Sequence, residues 1–158
     1  MVSASPSTPV RQAAEGDLAR VGRLLRDFND EFGEPTPPPA ELAARIGELI
    51  GSGETSVLLI GEPAAQGLAV LRFRPSIWSK ALECYLAELY VVPELRGRGL
   101  GRALLEAALA HARDRGADFI DLGTSEDDVA ARALYESCGF RRTEGPGGPV
   151  MYVYEREL

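Results

Sequence analysis

Cysteine and histidine are scarce in this sequence, and their scarcity excludes several kinds of chemistry. The two cysteines, Cys84 and Cys138, lie far apart and follow no metal-ligand spacing. The single histidine, His111, cannot build a metal site or a serine–histidine–aspartate relay alone, and we expect its side chain to be solvated. We therefore expect no bound metal, and reduced thiols in a cytoplasmic protein.

Long hydrophobic runs are also missing. No stretch approaches the roughly 20 apolar residues that a membrane-spanning helix needs, so we expect no membrane partner. The segment Met1–Pro9 is small and polar and has neither the basic nor the apolar region of a signal peptide. We expect residues 1–9 to be a disordered lead-in and residues 10–158 to form a single domain, which at this length can bury a proper core.

Positive charge is in deficit, with 17 Lys and Arg against 24 Asp and Glu and a formal net charge of −7. Such a chain repels phosphate backbones, so nucleic acid is not expected as a partner, whereas a cationic substrate would suit its surface. One basic cluster remains, at Arg96, Arg98 and Arg102. This cluster carries enough positive charge to bind one small phosphorylated ligand.

Apolar residues at helical and alternating spacing predict about four helices and about seven strands. The helices cover residues 17–32, 39–50, 99–115 and 128–137, and the strands with clear bounds cover residues 10–13, 56–61, 67–73, 82–92, 119–122 and 150–155. The strand–helix–strand unit from Leu82 to Leu122 implies a parallel pair of strands. The predicted fold class is α/β (α+β), with a mixed, mostly antiparallel sheet and a central parallel pair.

A glycine-rich segment, Y-V-V-P-E-L-R-G-R-G-L-G-R at residues 90–102, joins the predicted strand 82–92 to the helix 99–115. Gly97, Gly99 and Gly101 let the backbone turn sharply and approach a ligand closely. The helix that follows presents unpaired N–H groups and the positive end of its dipole, which predicts a phosphate site. The spacing matches neither G-x-G-x-x-G nor G-x-x-x-x-G-K-[ST]. A plain connecting turn is the alternative interpretation.

Two motifs resemble those of the GNAT superfamily of N-acetyltransferases. R-G-R-G-L-G at residues 96–101 is similar to the [Q/R]-x-x-G-x-[G/A] signature, and L-Y-E-S-C-G-F at residues 134–140 is similar to the segment L-Y-x-x-x-G-F. The predicted order of elements also matches, so the resemblance covers about Val10 to Leu158. It implies the acyl-CoA N-acyltransferase fold and an enzyme that moves the acetyl group of acetyl-CoA to an amine.

The resemblance also implies how acetyl-CoA binds. Its pyrophosphate would rest on main-chain N–H groups of the glycine-rich loop, and its pantetheine arm would lie in a slot between strands 82–92 and 119–122. A main-chain N–H near Val91 would polarise the thioester carbonyl. Asp128 stands where the family often has Asn, and Asp caps a helix equally well. The implied cofactor-binding residues are Leu89, Tyr90, Val91, Arg96, Gly97, Arg98, Gly99, Leu100, Gly101, Arg102, Asp128 and Tyr135.

Tyr135 matches the family's tyrosine that protonates the departing thiolate, a role suited to a nearby acid. The alternative is that Tyr135 only packs against the cofactor or the core. The resemblance implies direct attack by the amine in a ternary complex, so no catalytic nucleophile is required.

Glu88 is the candidate general base. It stands in an otherwise apolar strand, where burial would raise the pKa of its carboxyl group. The alternation of Leu86, Glu88 and Tyr90 predicts one shared face opposite Leu89, with Tyr85 also lining the acceptor pocket. An ordinary edge or surface acid is the alternative.

The acceptor amine is not identified by these patterns. Residues 85–91 are similar to a strand of the spermidine/spermine-type acetyltransferases, but this chain has Ala87 before Glu88 where those have an acidic pair. A small molecule or a protein remains open as the acceptor, and so does a homodimer. The rival hypothesis is a non-catalytic module of the same fold that senses CoA or binds a protein. A nucleotide- or phosphosugar-binding protein fits the glycine spacing poorly.

Overall fold

The structure is a computed structural model that describes residues 8–158. The chain divides into two compact units, Met1–Asp121 and Leu122–Leu158. The predicted disordered lead-in over residues 1–9 lies outside the described residues, except for residues 8 and 9, which belong to no helix or strand.

The described part of the first unit contains α1 to α3 and β1 to β5. In chain order these are β1 Val10–Gln12, α1 Leu18–Glu31, α2 Pro39–Gly51, β2 Thr55–Ile60, β3 Gly67–Pro75, β4 Leu82–Val91, α3 Leu100–Asp114 and β5 Ala117–Asp121. Short 3-10 turns at Glu15–Asp17 and Pro93–Leu95 precede α1 and α3. These bounds agree with the predicted ones to within about two residues, the usual uncertainty of helix and strand ends.

Helices α1 and α2 approach each other closely where α1 carries a glycine. A Cβ atom at Gly22 would collide with the carbonyl oxygen of Pro39, so only glycine permits this distance. Pro39 is the first residue of α2, where its missing N–H and fixed φ favour a helix start. This contact fixes the direction of α1 and therefore the place where its last residue, Glu31, lies.

The strands form one sheet in the order β1-β2-β3-β4-β5. The pairs from β1 to β4 are antiparallel, and β4 and β5 are parallel. The predicted mixed, mostly antiparallel sheet with a parallel pair is therefore confirmed, but over residues 8–158 it has five strands where about seven were expected.

One face of the sheet packs against α1 and α2, and the other against α3. Every residue of β2 is buried, because both of its faces are covered. The core on the α1–α2 face contains Val21, Leu24, Ile46, Val57, Leu59, Ala65, Leu68, Val70 and Tyr90. Helix α3 contributes a buried stripe of Leu104, Leu105, Ala108 and Ala112 to the opposite face.

The second unit contains α4, Val129–Ser137, and one isolated bridge between Thr143 and Val150. The predicted strand 150–155 is wrong. Met151 N still donates to the Arg142 carbonyl at 2.9 Å, but residues 151–158 form no strand, and Tyr152 and Tyr154 are 77% and 92% exposed. An apolar alternation that buries no face cannot select one strand register.

Candidate functional site

The glycine-rich loop connects the end of β4 to the start of α3. Gly97 and Gly99 have φ angles of +76° and +85°, in the left-handed region that side chains disfavour. Gly99 is also the N-cap of α3. A Cβ atom at either glycine would meet no other atom within 4 Å, so the space beside both residues is open. The loop therefore leaves room for a ligand against its main chain.

The loop presents a row of main-chain N–H groups just before and at the start of α3. Within residues 8–158, no backbone carbonyl accepts a hydrogen bond from the N–H groups of residues 97–101, whereas Arg96 N donates to Pro93 and Ala103 N donates to Gly99. The first N–H groups of any helix lack partners inside the helix and carry the positive end of its dipole. This loop therefore has the donors that a phosphate needs.

Of the three predicted arginines, two lie along the loop and the start of α3, and the third turns away. Arg98 is exposed, and Arg102 lies 3.8 Å from Glu106 on the next turn of α3. The Arg96 side chain instead bonds to the Glu31 carboxylate and to the Val91 carbonyl. The sequence pattern grouped all three arginines as phosphate ligands, and the structure separates Arg96 from the other two.

Strand β4 has an unpaired edge next to this loop. Its pairing with β5 begins at Leu82 and ends with Tyr85 opposite Asp121. Among the described residues, no strand pairs with the rest of β4 on that edge. The predicted slot beside Leu89, Tyr90 and Val91 therefore has its geometric basis in the early end of the parallel pairing.

Val91 directs its main-chain groups towards this unpaired edge. The next residue, Val92, donates its N–H to Gln66 across the antiparallel pair at 2.9 Å. Because successive strand residues direct their N–H groups to opposite edges, the Val91 N–H points away from β3. That is the orientation which the predicted thioester contact requires.

A β-bulge at Ala87 breaks the alternation that the sequence predicts for β4. Glu88 stands opposite Val70, whereas Leu86 stands opposite Leu71, so Ala87 has no partner on β3. Cross-strand partners share a face, and Val70 belongs to the core on the α1–α2 face. Glu88 therefore shares this face with Tyr90, as expected, but Leu86 does not. Burial raises the pKa of the Glu88 carboxyl group, also as expected.

The two predicted pocket tyrosines have different environments. Tyr85 is 45% exposed, whereas Tyr90 is 4% exposed. The Tyr90 hydroxyl donates to Glu31 at 3.1 Å, and its ring lies 5.2 Å from that of Phe28. Burial, and secondarily the bond to Glu31, raise the pKa of Tyr90 to about 12. Tyr90 therefore remains a neutral hydroxyl donor, and its side chain belongs to the core on the α1–α2 face.

Asp128 and Tyr135 belong to the second unit, and the other predicted site residues belong to the first. Asp128 caps α4, because its carboxylate accepts a hydrogen bond from Ala131 N at 3.0 Å. The Tyr135 ring packs edge-on against Phe140, with 5.9 Å between their centroids. The predicted cap is confirmed. The cofactor contact of Asp128 and the acid role of Tyr135 stay predictions.

Sequence patterns missed Glu31, which connects Arg96 and Tyr90. It is the last residue of α1 and lies 65 residues before Arg96. No motif or spacing links residues so far apart. The only local sign is a carboxylate that ends an amphipathic helix just before a proline-rich segment.

His111 is not simply solvated, contrary to expectation. Its Nε2 atom forms a 2.8 Å hydrogen bond with the hydroxyl of the buried Ser56. Arg115 also donates to this hydroxyl, at 3.1 Å. Burial, followed by the charge of Arg115, lowers the pKa of His111. Packing of the buried face of α3 on the sheet places His111 next to Ser56 of β2. No local sequence pattern indicates that contact.

No group of three or more His, Cys, Asp or Glu side chains that could hold a metal ion occurs among residues 8–158. None of the helices in this part of the chain has the length and apolar character needed to cross a membrane.

Comparison with known proteins assigns the fold. A profile of the acetyltransferase (GNAT) family matches residues 20–140. A crystal structure of a protein from Arthrobacter sp. FB24, provisionally designated an acetyltransferase, is 43% identical and has a TM-score of 0.89, with 99% of each chain covered.

Two curated relatives differ in how much of their length this chain spans. The mycothiol acetyltransferase of Thermobispora bispora is 40% identical over 123 residues, which are 75% of this chain but only 36% of that protein. The aminoglycoside N(6′)-acetyltransferase type 1 of Stenotrophomonas maltophilia is 29% identical over 147 residues, which are 91% of this chain and 92% of that protein.

The fold and these matches together define the family of this chain. The chain belongs to the GNAT family, whose members take the acetyl group from acetyl-CoA.

Proposed function

We propose that this protein transfers the acetyl group of acetyl-CoA to a primary amine by direct attack within a ternary complex. The observation that carries the proposal is the row of main-chain N–H groups at residues 97–101, which have no backbone acceptor among the described residues and lie next to the unpaired edge of β4. A loop of this kind suits a pyrophosphate, and an open strand edge suits the amide groups of pantetheine.

In this proposal, Arg98 and Arg102 add positive charge beside the pyrophosphate, and the main chain of Leu89, Tyr90 and Val91 pairs with the pantetheine arm. The orientation of the Val91 N–H supports an oxyanion contact to the thioester carbonyl. Asp128, at the start of α4, remains a candidate contact to the cofactor.

The chemistry needs one base and one acid. Glu88, directly or through a water molecule, takes a proton from the acceptor ammonium, and the neutral nitrogen then attacks the acetyl carbonyl carbon. A new C–N bond forms, the C–S bond breaks, and the sulfur leaves with the electron pair. Tyr135 donates the proton that converts the thiolate into a thiol. The raised pKa of Glu88 supports its part, because such a carboxyl group titrates closer to neutral pH.

The acceptor is inferred from the relatives and from the charge of the chain. The two relatives are a mycothiol acetyltransferase and an aminoglycoside acetyltransferase, and the net charge of −7 favours a cationic acceptor over an anionic one. We propose a primary amine on a small molecule or a protein. The cytoplasmic location and the homodimer also stay predictions.

One experiment tests the proposal. The protein is titrated with CoA by calorimetry and is then incubated with acetyl-CoA and a panel of amines, including aminoglycosides and polyamines, while the free thiol is measured. We expect CoA binding together with thiol release that depends on at least one amine. Binding without thiol release from any amine would favour the CoA-sensing or protein-binding module. Absence of CoA binding would refute both.

A further inference from the structure

The side chain of Arg96 is held by three contacts on the protein side. Its Nη2 atom donates to both carboxylate oxygens of Glu31, at 2.8 and 2.9 Å. Its Nε atom donates to the Val91 carbonyl at 2.9 Å. Its guanidinium group lies over the Tyr90 ring, 5.6 Å from the centroid. A guanidinium held by these partners has little freedom to turn towards a phosphate and donate hydrogen bonds to it.

The hydrogen bond from Arg96 to the Val91 carbonyl lies at the unpaired edge of β4. The Val91 carbonyl points to the same edge as its N–H, since both groups of a strand residue have the same direction. The pairing of β4 with β5 has ended by this point, so this carbonyl would otherwise be an acceptor without a strand partner. Arg96 occupies the carbonyl and so fixes the last peptide of β4.

Glu31 connects this peptide to α1. Its carboxylate accepts from Arg96 and also from the Tyr90 hydroxyl at 3.1 Å. The pKa of Tyr90, raised to about 12, keeps this hydroxyl protonated as the donor. The Glu31 side chain is 29% exposed, so its bonds are partly shielded from water. Tyr90 and Val91 of β4 and the side chain of Arg96 therefore depend on one carboxylate.

We propose that Glu31 and Arg96 are positioning residues for acetyl-CoA. They hold the Val91 peptide and the start of the glycine-rich loop in the conformation that binds the donor, and Arg96 is not itself a phosphate ligand. This inference rests on the proposed function, because it assigns the residues that organise the same donor site. It adds Glu31 to the site and changes the role of Arg96.

The test uses Glu31→Gln, Arg96→Lys and the double variant, with Asp30→Asn as the matched control. Asp30 precedes Glu31 on α1 and pairs with Arg26 at 2.9 Å, away from Arg96 and Tyr90. Gln at position 31 keeps the shape and removes the charge. Lys at position 96 keeps the charge but cannot donate to Glu31 and Val91 with one planar group. The measurements are the Kd for CoA, the KM for acetyl-CoA and for the amine, and the Tm.

Each single variant should raise the Kd for CoA and the KM for acetyl-CoA roughly tenfold, a size typical of one lost charge-assisted hydrogen bond. The amine KM should stay near the parent value. The Kd of the double variant for CoA should not exceed the higher of the two single-variant values, since both substitutions break the same contact. Asp30→Asn should bind CoA like the parent.

Several outcomes would overturn the inference. If Arg96 were a phosphate ligand restrained by Glu31, Glu31→Gln would free it and tighten CoA binding, and Arg96→Lys would keep most of the affinity. A lower Tm with unchanged Kd and KM would show a merely structural ion pair. If the parent protein binds CoA and the variants match it, only this inference fails. If the parent does not bind CoA, the proposed function fails as well.

Discussion

Leu86 and Glu88 lie on opposite faces of the sheet although a single residue separates them on β4. Ala87 forms a bulge between them, so that Leu86 stands opposite Leu71 and Glu88 stands opposite Val70. The bulge directs Glu88 to the face that α1 and α2 cover. The same strand loses its parallel partner at Tyr85. The candidate base and the unpaired edge therefore belong to the same irregular half of β4.

Replacing Glu88 with Gln should change the pH dependence of the rate. Burial raises the pKa of Glu88 above its ordinary value of 4.5. As a base, Glu88 works only when deprotonated, so the kcat of the parent should fall as pH drops through this raised pKa. Glu88→Gln should lower kcat about 10²-fold at neutral pH, a typical contribution of a general base, and should lose this acidic limb.

The control for this experiment is Glu83→Gln, on the same strand, where Glu83 pairs with Arg74 at 2.7 Å. Its pH–rate profile should keep the acidic limb. A parent-like profile for Glu88→Gln would remove Glu88 as the base.

Glu88→Gln should also raise the Tm at neutral pH. The folded-state pKa lies above the unfolded value, so the stability linked to this group is present below the unfolded pKa and is lost as pH rises through the folded pKa. Gln removes the cost of a partly buried charge at pH 7, and the difference in Tm should close as pH falls well below about 4, where the parent carboxyl becomes protonated in both states. Thermal melts across this pH range measure the effect, and a constant difference would contradict it.

Replacing Gly99 with Ala should abolish most CoA binding. Gly99 has a φ of +85°, so a side chain costs about 1–2 kcal/mol of backbone strain. The new Cβ would also project into the open space that the pyrophosphate is proposed to fill. Gly116, with a φ of +92° just beyond the opposite end of α3, provides the matched control. Both Ala variants should lose similar stability in thermal melts, but calorimetry should show a loss of CoA affinity only for Gly99→Ala. Equal affinities would refute the loop as the phosphate site.

Tyr135→Phe should lower kcat about 10²-fold if the hydroxyl is the acid that protonates the thiolate. Phe keeps the ring that packs against Phe140, so the KM for acetyl-CoA should change little. Tyr154→Phe, at a residue that is 92% exposed in the same unit, is the control and should have parent activity. Equal turnover by both variants would leave Tyr135 a packing residue.

His111→Gln should remove one source of acid sensitivity from the fold. Burial and Arg115 lower the folded-state pKa of His111 below the ordinary 6.5. The unfolded chain therefore takes up a proton first, and the stability linked to His111, complete above pH 6.5, is lost as pH falls towards the folded pKa. Denaturant unfolding at several pH values should show a smaller loss between pH 7 and 5 for the variant. An identical pH dependence would show that the titration of His111 does not govern this range.

Much of this fold could be predicted from short segments. Amphipathic spacing predicts α1 and α3, and Pro39 marks the start of α2. These signals are local, since each involves residues within a few turns of one another. The strand–helix–strand unit around α3 predicted the parallel pair, because a crossover of this kind joins parallel strands. The terminal strand 150–155 was wrong, because an apolar alternation indicates a strand only when another surface buries one of its faces.

The glycine-rich loop could be predicted from its own residues, because glycine at positions 97 and 99 permits left-handed backbone without help from the rest of the chain. The surroundings of that loop depend on how the chain folds. The bulge at Ala87 depends on the register with β3, and the direction of the Arg96 side chain depends on Glu31, 65 residues away. Such relationships arise from the packing of distant segments, and backbone propensities, which act over a few residues, carry no information about them.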